Sequence, residues 1–283
     1  MNTPLFSVLI AQYNNGKYLL EAIDSVVNQS YTNWEIILVD DCSTDNSHEI
    51  YQMLTADKRI KIFFNEKNEG VGYTKRRCAE LAGGDICGYL DPDDALLPNA
   101  LADMMSVYAK NKDVAMTFSR FYKCDENLNI TGENRLLQIP EGKTYFTAGD
   151  HTPEHFVSFK KAAYNRTEGV NPLLKGGADQ DLYYKMEEAG ELYILDKLTY
   201  KYRISPTGIS VKNLYKIYFY NYVVQYETCK RRGLSIDDYP VQEFINLLSA
   251  IVLLYKNVSE RINNSRAYKL GKMLLKPLKF FRK

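Results

Sequence analysis

The sequence predicts an α/β protein: a mainly parallel sheet flanked by helices, with a helical extension at its C-terminal end. Three features carry this reading. Short apolar runs alternate with stretches of helical apolar spacing through the first 121 residues, the pattern of βαβ units. Acidic clusters stand directly after two of those runs, and in parallel sheets ligands gather at the carboxyl ends of the strands. From residue 213 to 256 the spacing is helical and rich in Tyr. The expected organisation is a domain over 1–210, divided near residue 120, and an extension over 211–283.

Each element has its own signal. Phe6–Ile10 (FSVLI) is short and apolar on both faces, which reads as a buried strand. Leu19, Leu20, Ile23, Val26 and Val27 put one apolar stripe on a helix over 17–29. Glu35–Val39 is a second buried strand and runs into Asp40-Asp41. Thr44 or Asp45 can cap a helix that continues to about Thr55. Ile60–Phe64 reads as a third strand and Gly70–Leu81 as a turn and helix. Asp85–Leu90 is a fourth strand, ending in Asp91-Pro92-Asp93-Asp94. Leu96–Asn111 follows as a helix and Val114–Phe121 as a strand. Residues 123–160 are polar and carry Gly132, Pro140, Gly142, Gly149 and Pro153, so a loop-rich stretch is expected. Helical spacing returns near Asp181–Ala189, closed by Gly190, and Tyr193–Leu195 and Leu198–Tyr202 read as two short strands.

Composition narrows the function classes. Lys+Arg of 36 against Asp+Glu of 35 leaves a net charge of +1, so a nucleic-acid partner is not expected. The longest apolar stretch, Leu247–Tyr255, is too short to cross a bilayer. The opening MNTPLFSVLI has neither the basic start nor the cleavage site of a signal peptide. Five scattered cysteines without a C-x-x-C pair fit a reducing compartment and no zinc site. A cytoplasmic protein is therefore the expectation. The near-neutral total hides a basic tail, with nine Lys/Arg against the single acid Glu260 over 256–283. Basic and apolar residues alternate from Lys269 to Lys283, which suits an anionic membrane surface and equally an ordinary solvated C-terminus.

The acidic clusters carry the chemistry. Asp91-Pro92-Asp93-Asp94 crowds three carboxylates, which raise one another's pKa unless a cation lies between them, and carboxylate oxygens suit Mg²⁺ or Mn²⁺. Taken alone it reads equally as a solvated turn that caps the next helix. Asp40-Asp41 can accept hydrogen bonds from a base N–H or a ribose hydroxyl, or simply close a turn. Tyr13 can stack on a base or pack a loop. Asp179, before a helix, is either an N-cap or an ionised base able to deprotonate a hydroxyl, and the two roles are compatible. Tyr183, Tyr184, Tyr215, Tyr218, Tyr220 and Tyr222 are expected to pack rather than bind sugar.

In combination these pieces carry more. The order strand–Tyr13-Asn-Asn-Gly16, strand–Asp40-Asp41-Cys-Ser-Thr-Asp45, strand–Asp91-Pro-Asp93-Asp94 and a later Asp179-Gln-Asp181 resembles family 2 glycosyltransferases of the GT-A fold. The match covers roughly residues 5–120 and 175–210. Ala22–Ser25, Gln29–Glu35, and Tyr202-Arg203 followed by Gly208–Ser210 extend it.

The resemblance implies transfer of a sugar, with inversion, from a nucleotide sugar (a UDP-sugar) to a hydroxyl of a glycan or lipid-linked acceptor. It implies bacterial surface-polysaccharide synthesis at the inner face of the cytoplasmic membrane. Residues 1–120 would be the nucleotide-sugar half and 121–210 the acceptor side. Ala11 and Tyr13 would line the nucleotide pocket, and Asp41, with Asp40 beside it, would contact uracil or ribose. Asp93 would bind Mn²⁺ or Mg²⁺, with Asp91 nearer the ribose and Asp94 supporting the turn. Asp179 would be the catalytic base, and Lys75 would keep a positive charge on the phosphate side. Three places depart from the family pattern: Ala178 replaces Glu, Thr74-Lys75-Arg76 replaces Ala-Arg-Asn, and Ser205 replaces His. A sugar nucleotidyltransferase would need a Gly-rich phosphate loop after the first strand and a dinucleotide oxidoreductase a G-x-G-x-x-G, and neither is present. The sugar nucleotidyltransferase and a non-catalytic sugar-nucleotide-binding subunit are the alternatives.

Overall fold

In the first of two compact units, Met1–Val224 and Gln225–Lys283, a nine-stranded sheet is assembled in the order β3-β2-β1-β4-β8-β6-β9-β5, with β7 beside β6. The computed structural model describes residues 3–135, 138–148, 155–204 and 214–239, with isolated positions from 245 to 265. The strands are β1 (Phe6–Gln12), β2 (Trp34–Asp40), β3 (Ile60–Phe64), β4 (Ile86–Tyr89), β5 (Ala95–Leu96), β6 (Val114–Cys124), β7 (Ile130–Glu133), β8 (Val157–Lys160) and β9 (Glu191–Arg203). The helices are α1 (Gly16–Val27), α2 (Ser47–Leu54), α3 (Val71–Leu81), α4 (Ala100–Lys110), α5 (Lys161–Tyr164), α6 (Ala178–Ala189) and α7 (Leu214–Arg232).

The first four long strands are parallel neighbours, and β6 and β9 form the longest parallel ladder. The fold is therefore the expected mainly parallel α/β sheet with helices. Phe6, Val8 and Ile10 of β1 pack with Leu19, Ile23 and Val26 of α1, while Cys78 and Ala79 of α3 are buried too. Full burial on both faces explains why β1 and β2 read as unbroken apolar runs. The N-cap of α2 is Asn46, not Thr44 or Asp45, and its own side chain makes no capping bond; Asp45, one residue earlier, serves the helix start instead. Its carboxylate accepts from Ser47 N at 3.1 Å and from Gly16 N at 2.8 Å, so one side chain serves the starts of both α1 and α2.

Two further expectations are corrected. Residues 123–160 were expected to be loop-rich, yet they supply β7 and the buried β8, which lies antiparallel between β4 and β6. Four residues flanked by polar chain carry too little periodicity to announce a strand, and pairing on both edges makes one. The two short strands expected over 193–202 form a single β9. A register shift opposite Arg120 absorbs the polar Asp196-Lys197 pair as a bulge, so the ladder continues.

The second unit begins within α7, whose last turn carries Lys230, Arg231 and Arg232, favourable at the negative end of a helix dipole. Ser235 then caps a 3₁₀ turn at Ile236–Asp238. The expected boundary at 210/211, Ser205, Gly208–Ser210, the Tyr215 side chain and the Lys269–Lys283 tail lie outside the described residues. Among the described residues, no helix is long and apolar enough to cross a membrane.

Candidate active site

The carboxyl ends of β1, β2 and β4 bring the predicted residues into two neighbouring groups. Ala11 is partly buried at the end of β1, and the Tyr13 ring stands 44% exposed just beyond it. The 13–16 and 42–45 loops are stitched together, with Asn14 N donating to Ser43 Oγ at 2.9 Å and Thr44 N to Asn14 Oδ1 at 2.8 Å. Asp40 is buried and accepts from the Tyr51 hydroxyl at 2.6 Å and Ser43 N at 3.0 Å. Asp41 is buried as well and clamps the next loop. Its oxygens take Asn65 Nδ2 at 2.7 Å, Glu69 N at 2.8 Å and Gly70 N at 2.8 Å. Both carboxylates of the pair are thus engaged with internal donors.

The Asn65 amide also reaches Thr74 Oγ1 at 3.2 Å, and the next residue, Lys75, opens the second group. Its ammonium donates to Asp179 Oδ1 at 2.6 Å and lies 3.3 Å from Asp91 Oδ1. Burial alone would lower the lysine pKa, but the two carboxylates reverse this and hold it above its ordinary value. For Asp91, burial pushes the pKa up, and the charges of Lys75 and His155 more than offset that, leaving it below the usual carboxylate value. Asp179 lies in the first turn of α6, entered through Gly177, whose φ of 66° suits glycine. Its side chain remains 44% exposed.

The turn at 91–94 is held from a distance in sequence. Asp94 is buried and accepts from the Tyr200 hydroxyl and from Arg203 N, each at 2.7 Å. Arg203 Nε donates to the Asp93 carbonyl at 2.5 Å, and its Nη2 to Glu21 at 2.5 Å. Burial and then the charges of Asp93 and Asp91 push Asp94 well above its usual pKa. Asp93 is different: among the described residues, no other residue donates a hydrogen bond to its carboxylate. Burial first and then Asp91 raise its pKa to about 6. A half-buried carboxylate to which no other described residue donates, two residues from Asp91, offers the oxygens that a hard divalent cation takes. The described side chains make no cluster of three or more candidate metal ligands, so the remaining positions would fall to substrate oxygens and water.

Tyr89, Tyr200 and His155 were not singled out from the sequence for this site. The Tyr89 hydroxyl donates to the Lys75 carbonyl at 2.8 Å, and the His155 ring stacks on Tyr200 and Tyr202 with centroids 5.3 and 5.0 Å away. The alternating LTYKYR pattern marks Tyr200 as facing one side of a strand, but nothing local says which acid it meets. Of the Tyr residues expected to pack, Tyr183 and Tyr184 are buried, whereas Tyr218 is exposed.

Comparison with known proteins agrees with this geometry. The sequence model described as Glycosyl transferase family 2 matches residues 7–167. The chain is 30% identical over 215 residues to a chondroitin synthase of Escherichia coli, covering 75% of this chain and 30% of that protein. It is 35% identical over 182 residues to the glycosyltransferase GlyG of Streptococcus pneumoniae serotype 4, covering 59% of this chain and 60% of the other. The chain spans less than a third of the length of the synthases it matches first. Among solved structures, S. aureus TarS 1–349 in complex with UDP-GlcNAc superposes with a TM-score of 0.63 at 20% identity, over 77% of this chain and 66% of that one. That likeness extends to the fold, a GT-A arrangement. With the family model covering more than half of its residues, the chain belongs to the family 2 glycosyltransferases.

Proposed function

We propose that this glycosyltransferase moves a sugar from a UDP-sugar to a hydroxyl of a glycan or lipid-linked acceptor, with inversion, in the building of a surface polysaccharide. The observation that carries the reading is the meeting of Asp91 and Asp179 around one buried ammonium at the carboxyl edge of the sheet, with Asp93 two residues beyond Asp91. The relatives named chondroitin and hyaluronan synthases support a polysaccharide product, and the UDP-GlcNAc complex of TarS supports a UDP-linked donor.

In this reading Ala11, Tyr13 and the Asp40-Asp41 loop hold the nucleoside. Asp93, with Asp91 beside it, would hold Mn²⁺ or Mg²⁺, whose chemistry when bound is to neutralise charge on the leaving diphosphate. Asp179 takes the proton of the acceptor hydroxyl. The acceptor oxygen bonds to the anomeric carbon from the face opposite the diphosphate, and one displacement inverts that carbon. No carboxylate nucleophile is needed, in contrast to retaining hydrolases. The tail from Lys269 to Lys283 would bring the enzyme to an anionic inner-membrane surface where a lipid-linked acceptor lies.

Calorimetric titration with UDP, GDP, CDP and dTDP, with and without Mn²⁺, tests the donor site. Metal-dependent binding of UDP, lost in Asp93→Ala, is the expected result; no binding of any nucleotide refutes the reading. Asp179→Asn is expected to lower transfer about 10²–10⁴-fold, the usual worth of a general base, with UDP affinity unchanged. Donor turnover that is present in the wild type and lost in this variant would also exclude a purely binding subunit.

A further inference from the structure

The Lys75 side chain is 7% exposed and ties three elements together: it rises from α3, meets Asp179 at the start of α6, and meets Asp91 after β4. Its ammonium lies 5.2 Å from the centroid of the Tyr89 ring, and the Tyr89 hydroxyl bonds back to the Lys75 carbonyl. The helix that carries it is docked against the segment leading to Asp179. Gly72 N donates to Leu174 O at 3.0 Å, and a Cβ at Gly72 would stand 2.5 Å from Asn171 O. The ammonium has three N–H donors, and two face carboxylates at 2.6 and 3.3 Å. The shorter of the two contacts binds the ammonium to the proposed base.

We propose that Lys75 is a positioning residue that acts through Asp179, fixing Oδ1 so that Oδ2 is the atom presented to the acceptor hydroxyl. The inference rests on the assignment of Asp179 as the base. In the transfer, the acceptor O–H gives its proton to Oδ2 and the acceptor oxygen forms a bond to the anomeric carbon. The bond from that carbon to the diphosphate breaks, and its electron pair leaves with UDP. Lys75 keeps its proton and its bond to Oδ1 throughout. An ammonium on the base weakens its basicity, yet it fixes its direction, and a misplacement of about 1 Å can lower a rate about 10²-fold.

A double-mutant cycle on the full chain tests this: K75M, D179N and the two together, read by UDP release from UDP-hexoses and UDP-N-acetylhexosamines with acceptor present, and by UDP affinity. K75M is expected to lose about 10²-fold in kcat with UDP affinity within about threefold of wild type. The double variant is expected to be no slower than D179N to within about threefold, because nothing remains to be positioned. K75R is expected to recover at least part of the lost kcat, and it keeps the test open should K75M fail to fold. Losses that multiply in the double variant would overturn the inference, since Lys75 would then serve the diphosphate independently of the base. So would a rise of about tenfold or more in the UDP Kd of K75M at unchanged kcat. A D179N enzyme with wild-type kcat refutes the base assignment itself, whatever K75M does.

Discussion

Asp93 is held ionised at neutral pH against its surroundings, and removing its charge should stabilise the metal-free protein. Burial and the neighbouring Asp91 raise its pKa from 3.8 to about 6. That displacement corresponds to about 3 kcal/mol against the charged form at pH 7.5. Relaxation around the carboxylate reduces the figure, so Asp93→Asn should gain about 1–3 kcal/mol, or about 3–8 °C in Tm for a unit of this size. The sign follows from proton linkage. Between about pH 4 and 6 the folded state holds the Asp93 proton more tightly than the unfolded chain does, so its contribution to stability falls as pH rises through that window. Asp93→Asn should therefore match the wild type near pH 4 and exceed it above pH 7. The assay is thermal unfolding in EDTA at both pH values. Adding Mn²⁺ and UDP at a hundredfold excess over Kd should stabilise the wild type by about 2.7 kcal/mol, closing or reversing the gap, and leave the variant unmoved. A variant in EDTA at pH 7.5 that melts at or below the wild type would refute the argument, because the carboxylate would then have a stabilising partner.

Three further outcomes follow. Gly72→Ala should destabilise by more than about 1 kcal/mol and lower kcat, because the new Cβ meets the Asn171 and Leu174 carbonyls and must push aside the segment leading to Asp179; calorimetry and turnover read both. Tyr200→Phe should lose about 1–3 kcal/mol by removing a donor from the buried Asp94 carboxylate, seen as a lower urea midpoint at unchanged slope. Deleting 266–283 should weaken sedimentation with anionic liposomes and leave UDP affinity intact, and unchanged sedimentation would discard the membrane proposal.

What the sequence made legible was what local patterning encodes. Strands β1 and β2, buried on both faces, are continuous apolar runs, and the acids after β2 and β4 follow directly from them. What it hid was set by partners far along the chain. Asp40 and Asp41 look alike in the sequence, yet Asp40 bonds to Tyr51 and Ser43 while Asp41 clamps Asn65, Glu69 and Gly70. Lys75 was placed on the phosphate side by resemblance, whereas it lies between Asp91 and Asp179, a juxtaposition that no spacing in the sequence expresses. Strand β8 escaped because its four residues become a strand only when β4 and β6 flank them.

The bonds from β9 to the 91–94 turn bear on how this enzyme can be divided. Tyr200 and Arg203 hold Asp94, and Arg203 also holds the Asp93 carbonyl, from about 110 residues further along the chain. A split at residue 120 into a donor half and an acceptor half would therefore sever the donor half from its own scaffold. Fragments ending there would carry an acidic turn with nothing to shape it. Chimeras between relatives should accordingly keep 191–203 together with its native acidic turn, treating the two as one inherited cassette.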